Sequence, residues 1–162
     1  EDQDRSRWDG ARIGEGRELI ARAMATQRIG PYQIQAAIAA LHDEAPSWQA
    51  TDWAQIGTLY RALQALEPSP VVELNLAVAV AMAEGAAVGL AMIDGLASDG
   101  ALDDYPYLHA ARADLLRRLE RWSESAAAYR RAADLTDNQT ERAFLDRRIA
   151  EVTRRSGPTA IC

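Results

Sequence analysis

The sequence holds two histidines, His42 and His109, and neither stands in a spacing that binds a metal or serves a nucleophile, such as H-E-x-x-H or a CxxC context. His42 falls at the end of a helix-period segment, where an imidazole complements the partial negative charge of a helix C-terminus. His109 follows Tyr107 and Leu108 on a helix-period segment and reads as a partly buried packing residue. Adjacent carboxylates occur at Asp43-Glu44, at Asp103-Asp104 and among residues 1 to 4. Such pairs have the type needed for acid–base or metal chemistry, but at helix ends they are ordinarily solvated or capping. Gly10, Gly14 and Gly16 lie in a polar stretch with no preceding strand, so they form no dinucleotide fingerprint, and the sequence contains no G-x-S-x-G or phosphate-binding loop. The expectation is an interaction protein rather than an enzyme, with no cofactor and no metal.

Charge narrows the partners. The chain has eighteen arginines and no lysine against 24 acids, a formal charge of −6. Residues 1 to 100 carry the whole of the negative balance, and the remainder is close to neutral. A duplex-binding domain is usually basic on one face, so direct nucleic-acid binding is not expected. The arginine pairs at 117-118, 130-131, 147-148 and 154-155 are interspersed with acids such as Glu124, Asp134 and Glu151, the pattern of a solvated helix face rather than a docking stripe. No apolar run approaches the length of a membrane span, no secretory signal opens the chain, and the lone Cys162 has no disulfide partner, which together suggest a cytoplasmic location. The opening Glu1-Asp2-Gln3-Asp4, in place of Met, suggests a piece of a longer chain.

The residues that could position a partner must sit on helices, because apolar residues recur with helical period from near the start to the end and sustained strand-type alternation is absent. Eight helices are expected, at roughly 8–26, 32–45, 52–66, 70–84, 86–98, 105–119, 122–135 and 138–155. Proline sets several of the cuts, at Gly30-Pro31, Ala45-Pro46-Ser47 and Glu67-Pro68-Ser69-Pro70. Thr51 or Asp52, Ser69, and Asp137 or Asn138 are the expected N-caps. Trp53, Ala86 and Trp122 fall in register, as do Tyr60, Ile93 and Tyr129, at a spacing near the 34 residues of a stacked helix-turn-helix repeat. The predicted fold is therefore all-α, with stacked antiparallel hairpins of the tetratricopeptide kind. An N-terminal element over 1–50 is expected to pack on three hairpins over 51–155, with a tail at 156–162. Glu120 occupies a position where such a repeat often has a turn glycine. Trp53 and Trp122 recur at one repeat position and read as core, whereas Trp8 and Trp48 lie outside the repeats and are interface candidates.

Several motifs go beyond a generic repeat array: Glu1-Asp2-Gln3-Asp4-Arg5-Ser6-Arg7-Trp8-Asp9, the run Gly30-Pro31-Tyr32-Gln33-Ile34-Gln35-Ala36-Ala37-Ile38-Ala39-Ala40-Leu41-His42, Thr51-Asp52-Trp53-Ala54-Gln55-Ile56, and Pro68-Ser69-Pro70-Val71-Val72 with Asn75-Leu76-Ala77-Val78-Ala79-Val80. In order and over essentially the whole chain, they resemble the C-terminal extension of bacterial RNA polymerase sigma factors of the extracytoplasmic-function (ECF) type. The resemblance implies a regulatory domain that modulates transcription initiation through contacts with its own sigma domains, RNA polymerase or a regulatory partner, promoter DNA being read only by the sigma domains, which this sequence does not contain. It points to Arg5, Arg7, Trp8, Asp9, Tyr32, Gln33 and Gln35 as contact or domain-junction residues, with the anchoring of N-terminal helices as their equally weighted structural role. Where the family usually has Arg after the asparagine, this chain has Leu76, so a polar contact made by that Arg is absent here. The competing expectations are a free-standing adaptor holding a peptide segment and, further off, a small-molecule hydrolase or metal enzyme.

Overall fold

The computed structural model describes residues 5–25 and 29–157. It is all-helical, with no strand among the described residues: α1 (Gly10–Ala25), α2 (Pro31–Glu44), α3 (Trp53–Leu66), α4 (Pro70–Glu84), α5 (Ala86–Ser98), α6 (Pro106–Arg118), α7 (Trp122–Leu135) and α8 (Gln139–Arg155). Neighbouring helices pack in pairs, as a helical-hairpin array requires. The residual differences from the predicted bounds have one main cause, the cap residue. Asp9 precedes α1 and its carboxylate accepts from the Ala11 and Arg12 amides. Asp52 accepts from the Gln55 amide ahead of α3, and Asn138 from the amides of Thr140 and Glu141 ahead of α8. These side chains occupy orphan donors of a first turn without being helical themselves. Two short 3₁₀ turns, Arg5–Arg7 and Trp48–Ala50, were not foreseen.

The chain divides into two compact units, Glu1–Ala79 and Val80–Cys162, the division falling inside α4. The sequence pattern set off residues 1–50 as an N-terminal element packed on the hairpins of one compact unit. In the first unit α1 packs on α2 and α2 on α3, so the N-terminal pair is continuous with the helix that opens the first predicted repeat. Its core gathers Ile34, Ile38, Trp53, Ile56, Leu63 and Leu74. Leu76 is also buried, so the position where the resembled family carries arginine is an apolar core site here.

In the second unit α5 packs on α6, α6 on α7 and α7 on α8. Helix α7 buries Ser125, Ala126, Ala128, Tyr129, Ala132 and Ala133, a helical stripe of small side chains with one aromatic. The buried Ser125 hydroxyl is satisfied by the Ala113 carbonyl at 2.8 Å. Trp53, Ala86 and Trp122, aligned by the repeat, are each the first residue of their helices, α3, α5 and α7. At the second aligned position Ile93 and Tyr129 are buried, whereas Tyr60 is half-buried. Trp53 is in the core; Trp122 is half-buried, with the Arg155 guanidinium over its ring at 5.3 Å.

Charge is organised around Asp114 on α6, whose carboxylate takes Arg117 at 2.6 Å and Arg118 at 2.7 Å. Burial opposes the ionised form, but the two arginine hydrogen bonds outweigh it and hold the Asp114 pKa below the ordinary value. Arg117 also reaches the Tyr129 hydroxyl. Burial and the nearby Asp114 charge push that phenol up to about 12.

The link from α6 to α7 is a Schellman turn, with the Arg121 amide bonded to the Leu116 carbonyl at 2.9 Å and the Glu120 amide to that of Arg117 at 3.1 Å. Its left-handed residue is Glu120, at φ 59, the one non-glycine with positive φ among the described residues. A side chain with Cβ costs about 1–2 kcal/mol in that conformation, which glycine avoids. Glu120→Gly is therefore expected to stabilise the protein by about 1 kcal/mol in urea unfolding followed by circular dichroism. Glu120→Ala, which keeps the strain, should give no gain.

Candidate interaction surface

The eight residues singled out from the sequence all lie in the first unit, and they separate into those spent on internal contacts and those left facing solvent. Arg5 is spent. Its Nη1 donates to the His42 carbonyl at 2.8 Å and to the Ala45 carbonyl, closing the C-terminal end of α2. A cation at that end also complements the helix dipole. The same guanidinium lies 5.1 Å from the ring centre of Trp8, which is half-buried beneath it. Asp9 caps α1 as described and pairs with Arg12 at 3.5 Å. Gln33 is a cap as well: its Oε1 accepts from the Gly30 amide at 3.1 Å, the reach-back half of a capping box at the start of α2.

Trp48 stands in an aromatic cluster at the junction of α2 and α3. Its ring meets that of Trp53 at a 59° tilt with centroids 4.5 Å apart, and Trp53 Nε1 donates to the Trp48 carbonyl at 3.3 Å. The His42 ring meets Trp53 edge-on at 5.2 Å. The buried Nε1 of Trp48 has no acceptor among the described residues. Arg5 and the Trp48–Trp53 pair therefore meet through His42, which gives one its carbonyl and the other its ring. His42 thus closes the C-terminal end of α2 through Arg5 rather than through its own side chain.

Four of the eight are exposed, and of these Arg7, Tyr32 and Gln35 lack the capping role that occupies Asp9. Tyr32 is 84% exposed, the most of any large apolar residue described, and Leu19 and Ile29 stand exposed at 54% and 53%. Leu19, Ile20, Ala23, Tyr32, Gln33 and Ala36 line a cleft of about 390 Å³ where α1 crosses α2. A second cleft between the same helices, about 560 Å³, runs past Gly14, Arg17 and Ala40. Small residues leave this space: a Cβ at Gly14 or Gly16 would touch nothing within 4 Å. Sequence reasoning missed Leu19 and Ile20 because apolar residues on an amphipathic helix are assigned inward by default, and Ile29 because it lies in the link before α2, where no period assigns a face. The detectable signal was the adjacent Leu19-Ile20 pair on a helix with three glycines, which offers too little bulk to cover it. An exposed apolar patch edged by charges, here Arg17 paired with Glu44 at 2.8 Å, is suited to holding another protein surface.

The motif residues 1–4 and Cys162 lie outside the described residues. Asp103 and Asp104, in the loop before α6, are held by internal contacts: His109 Nε2 meets the Asp103 carbonyl at 2.8 Å and Arg131 reaches Asp104 at 3.3 Å. Among the described residues no helix is long and apolar enough to cross a membrane.

No protein-family model and no solved structure matches the chain. The chain is similar to an uncharacterized protein of Rhizobium meliloti (strain 1021), 48% identical over 145 residues, which cover 90% of this chain and 34% of that protein. It thus spans about a third of the length of the curated relative it matches.

His42 gives this junction a pH dependence. Burial, and then the Arg5 charge, lower its pKa from the ordinary 6.5, against a smaller opposing effect of Asp43. A base with a lowered folded pKa contributes stability that is present above pH 6.5 and lost as pH falls through the folded value. The melting temperature should therefore fall between about pH 7.5 and 5.5, more than carboxylate titration alone explains. His42→Gln, which cannot titrate, should flatten that segment of the profile; an unchanged slope in the variant would place the dependence elsewhere.

Proposed function

We propose that this chain is the regulatory, protein-interaction portion of a cytoplasmic bacterial sigma factor of the ECF type, modulating transcription initiation by contact with sigma domains, RNA polymerase or a regulatory partner. The observation that carries the reading is the exposed apolar surface of α1 and α2 around Tyr32, which falls within the second of the motifs that resemble the family's extension. The relative's length supports it, because about two thirds of that protein lies outside the matched region. The register of Trp53, Ala86 and Trp122 at the first positions of α3, α5 and α7 supports a tetratricopeptide-like repeat. On this reading Tyr32, Leu19 and Ile29 are anchors, Gln35 stands one turn along α2 from Tyr32, and Arg5, Asp9 and Gln33 hold the helices that present them.

Titration of the purified chain against the sigma domains of the longer protein, with polymerase core as a second titrant, tests this. Saturable binding is expected, weakened about tenfold or more by Tyr32→Ala, the scale of one interface anchor. Absence of binding to both titrants would overturn the sigma-factor reading.

A further inference from the structure

The N-terminal turns of α6 and α8 flank an apolar cleft of about 260 Å³ lined by Pro106, Tyr107, Ala110, Thr140, Phe144 and Leu145. Its two aromatic walls are exposed, Tyr107 at 51% and Phe144 at 43%. Cofactors and metabolites occupy pockets of about 300–1,000 Å³. This cleft falls below that range, at the scale of an apolar side chain or two.

Charge decides which kind of side chain sequence would use it. Glu141 is the one carboxylate in the lining, and both of its oxygens are engaged: Oε1 accepts from the Tyr107 hydroxyl at 2.7 Å and Oε2 from the Thr136 hydroxyl at 2.8 Å. The edge of the cleft beyond Phe144 is basic. The Arg148 and Arg147 guanidinium groups lie 5.3 and 6.0 Å from the Phe144 ring centre. Arg148 is paired with Glu151 at 3.0 Å, whereas Arg147 is exposed and has no carboxylate partner among the described residues. Asp146 is exposed as well, but it lies about 200° around α8 from Phe144, on the far side of the helix. An apolar slot with a satisfied acid inside and an unpaired cation at its edge is complementary to an apolar residue followed by a carboxylate.

We propose that the α6–α8 cleft is a docking site for an acidic amphipathic peptide segment, which seats an apolar side chain against Tyr107 and Phe144 and pairs a carboxylate with Arg147. The apolar face of a short helix supplies such an anchor and places an acid one turn away. The site lies wholly in the second unit and stands independently of the reading of α1 and α2.

The test is fluorescence anisotropy of the full chain with a fluorescein-labelled synthetic helix-forming peptide that carries Leu and Phe at i, i+4 spacing and Glu on its other face, beside a counterpart with Lys for Glu. The acidic peptide should bind saturably and the Lys peptide about tenfold or more weakly. Phe144→Ala and Arg147→Glu should each weaken the acidic peptide about fivefold or more, while Arg130→Glu, the same charge change at an exposed position on α7, should alter it less than about twofold. Because Arg147 is exposed, its variant keeps the test valid even if Phe144→Ala unfolds. Failure of both peptides to bind, equal binding of the two, or equal sensitivity to Arg130→Glu would overturn the proposal. So would sensitivity to Arg147→Glu with none to Phe144→Ala in a folded variant, the mark of a bare anion site. Self-association of the chain that Arg147→Glu abolishes, seen by sedimentation, would assign the cleft to a second copy and overturn the peptide reading.

Discussion

Helix α7 touches α6 on one side and α8 on the other because the residues it turns inward are small. Ser125, Ala126, Ala128, Ala132 and Ala133 are buried, and only Tyr129 on that stripe is large. Alanine removes little apolar area from water, so this core gains from the close approach of backbones and the dispersion contacts that follow rather than from bulky burial. One large ring then fills what the alanines leave open. A face this small accommodates few alternatives: a larger side chain in place of any of the four buried alanines would force the helices apart and cost about 1–3 kcal/mol through overpacking.

Much of this was legible in the sequence, for identifiable reasons. Proline and short polar side chains mark chain reversals by backbone geometry that does not depend on tertiary context, which is why Pro31, Asp52, Pro70 and Asn138 placed four helix starts to within one residue. The alignment of Trp53, Ala86 and Trp122 survived as a common position at the start of α3, α5 and α7. The 3₁₀ turns at Arg5–Arg7 and Trp48–Ala50 were not legible, because three residues carry no period. The division of the chain inside α4 was also invisible, since it depends on which helices touch rather than on where they end.

The candidate surface was legible in residue type and not in role. Arg5, Asp9 and Gln33 look equally able to meet a partner, yet each is bound to backbone groups of its own chain. Backbone acceptors have no side-chain signature, so a sequence cannot announce that an arginine will find carbonyls 37 residues away. Tyr32 and Gln35 carry no such engagement and remain open to solvent. The only phenylalanine in the chain, Phe144, gave no sequence signal because a lone aromatic on a helix is most economically read as core.

The bond from Arg5 to the His42 carbonyl joins residues 37 apart, and so closes a long loop with a single side chain. Drawing the ends of such a loop together costs about 3 kcal/mol in chain entropy. A hydrogen bond from a charged donor contributes about 1.5–3 kcal/mol in return, so two of them offset that cost without greatly exceeding it. Arg5 is therefore a latch rather than a rivet: it holds while α1 rests on α2 and keeps the loop nearly closed, and it gains little once that packing is lost. Order in the first turn of the chain and order at the end of α2 should consequently be kinetically linked, opening and closing together despite their distance in sequence.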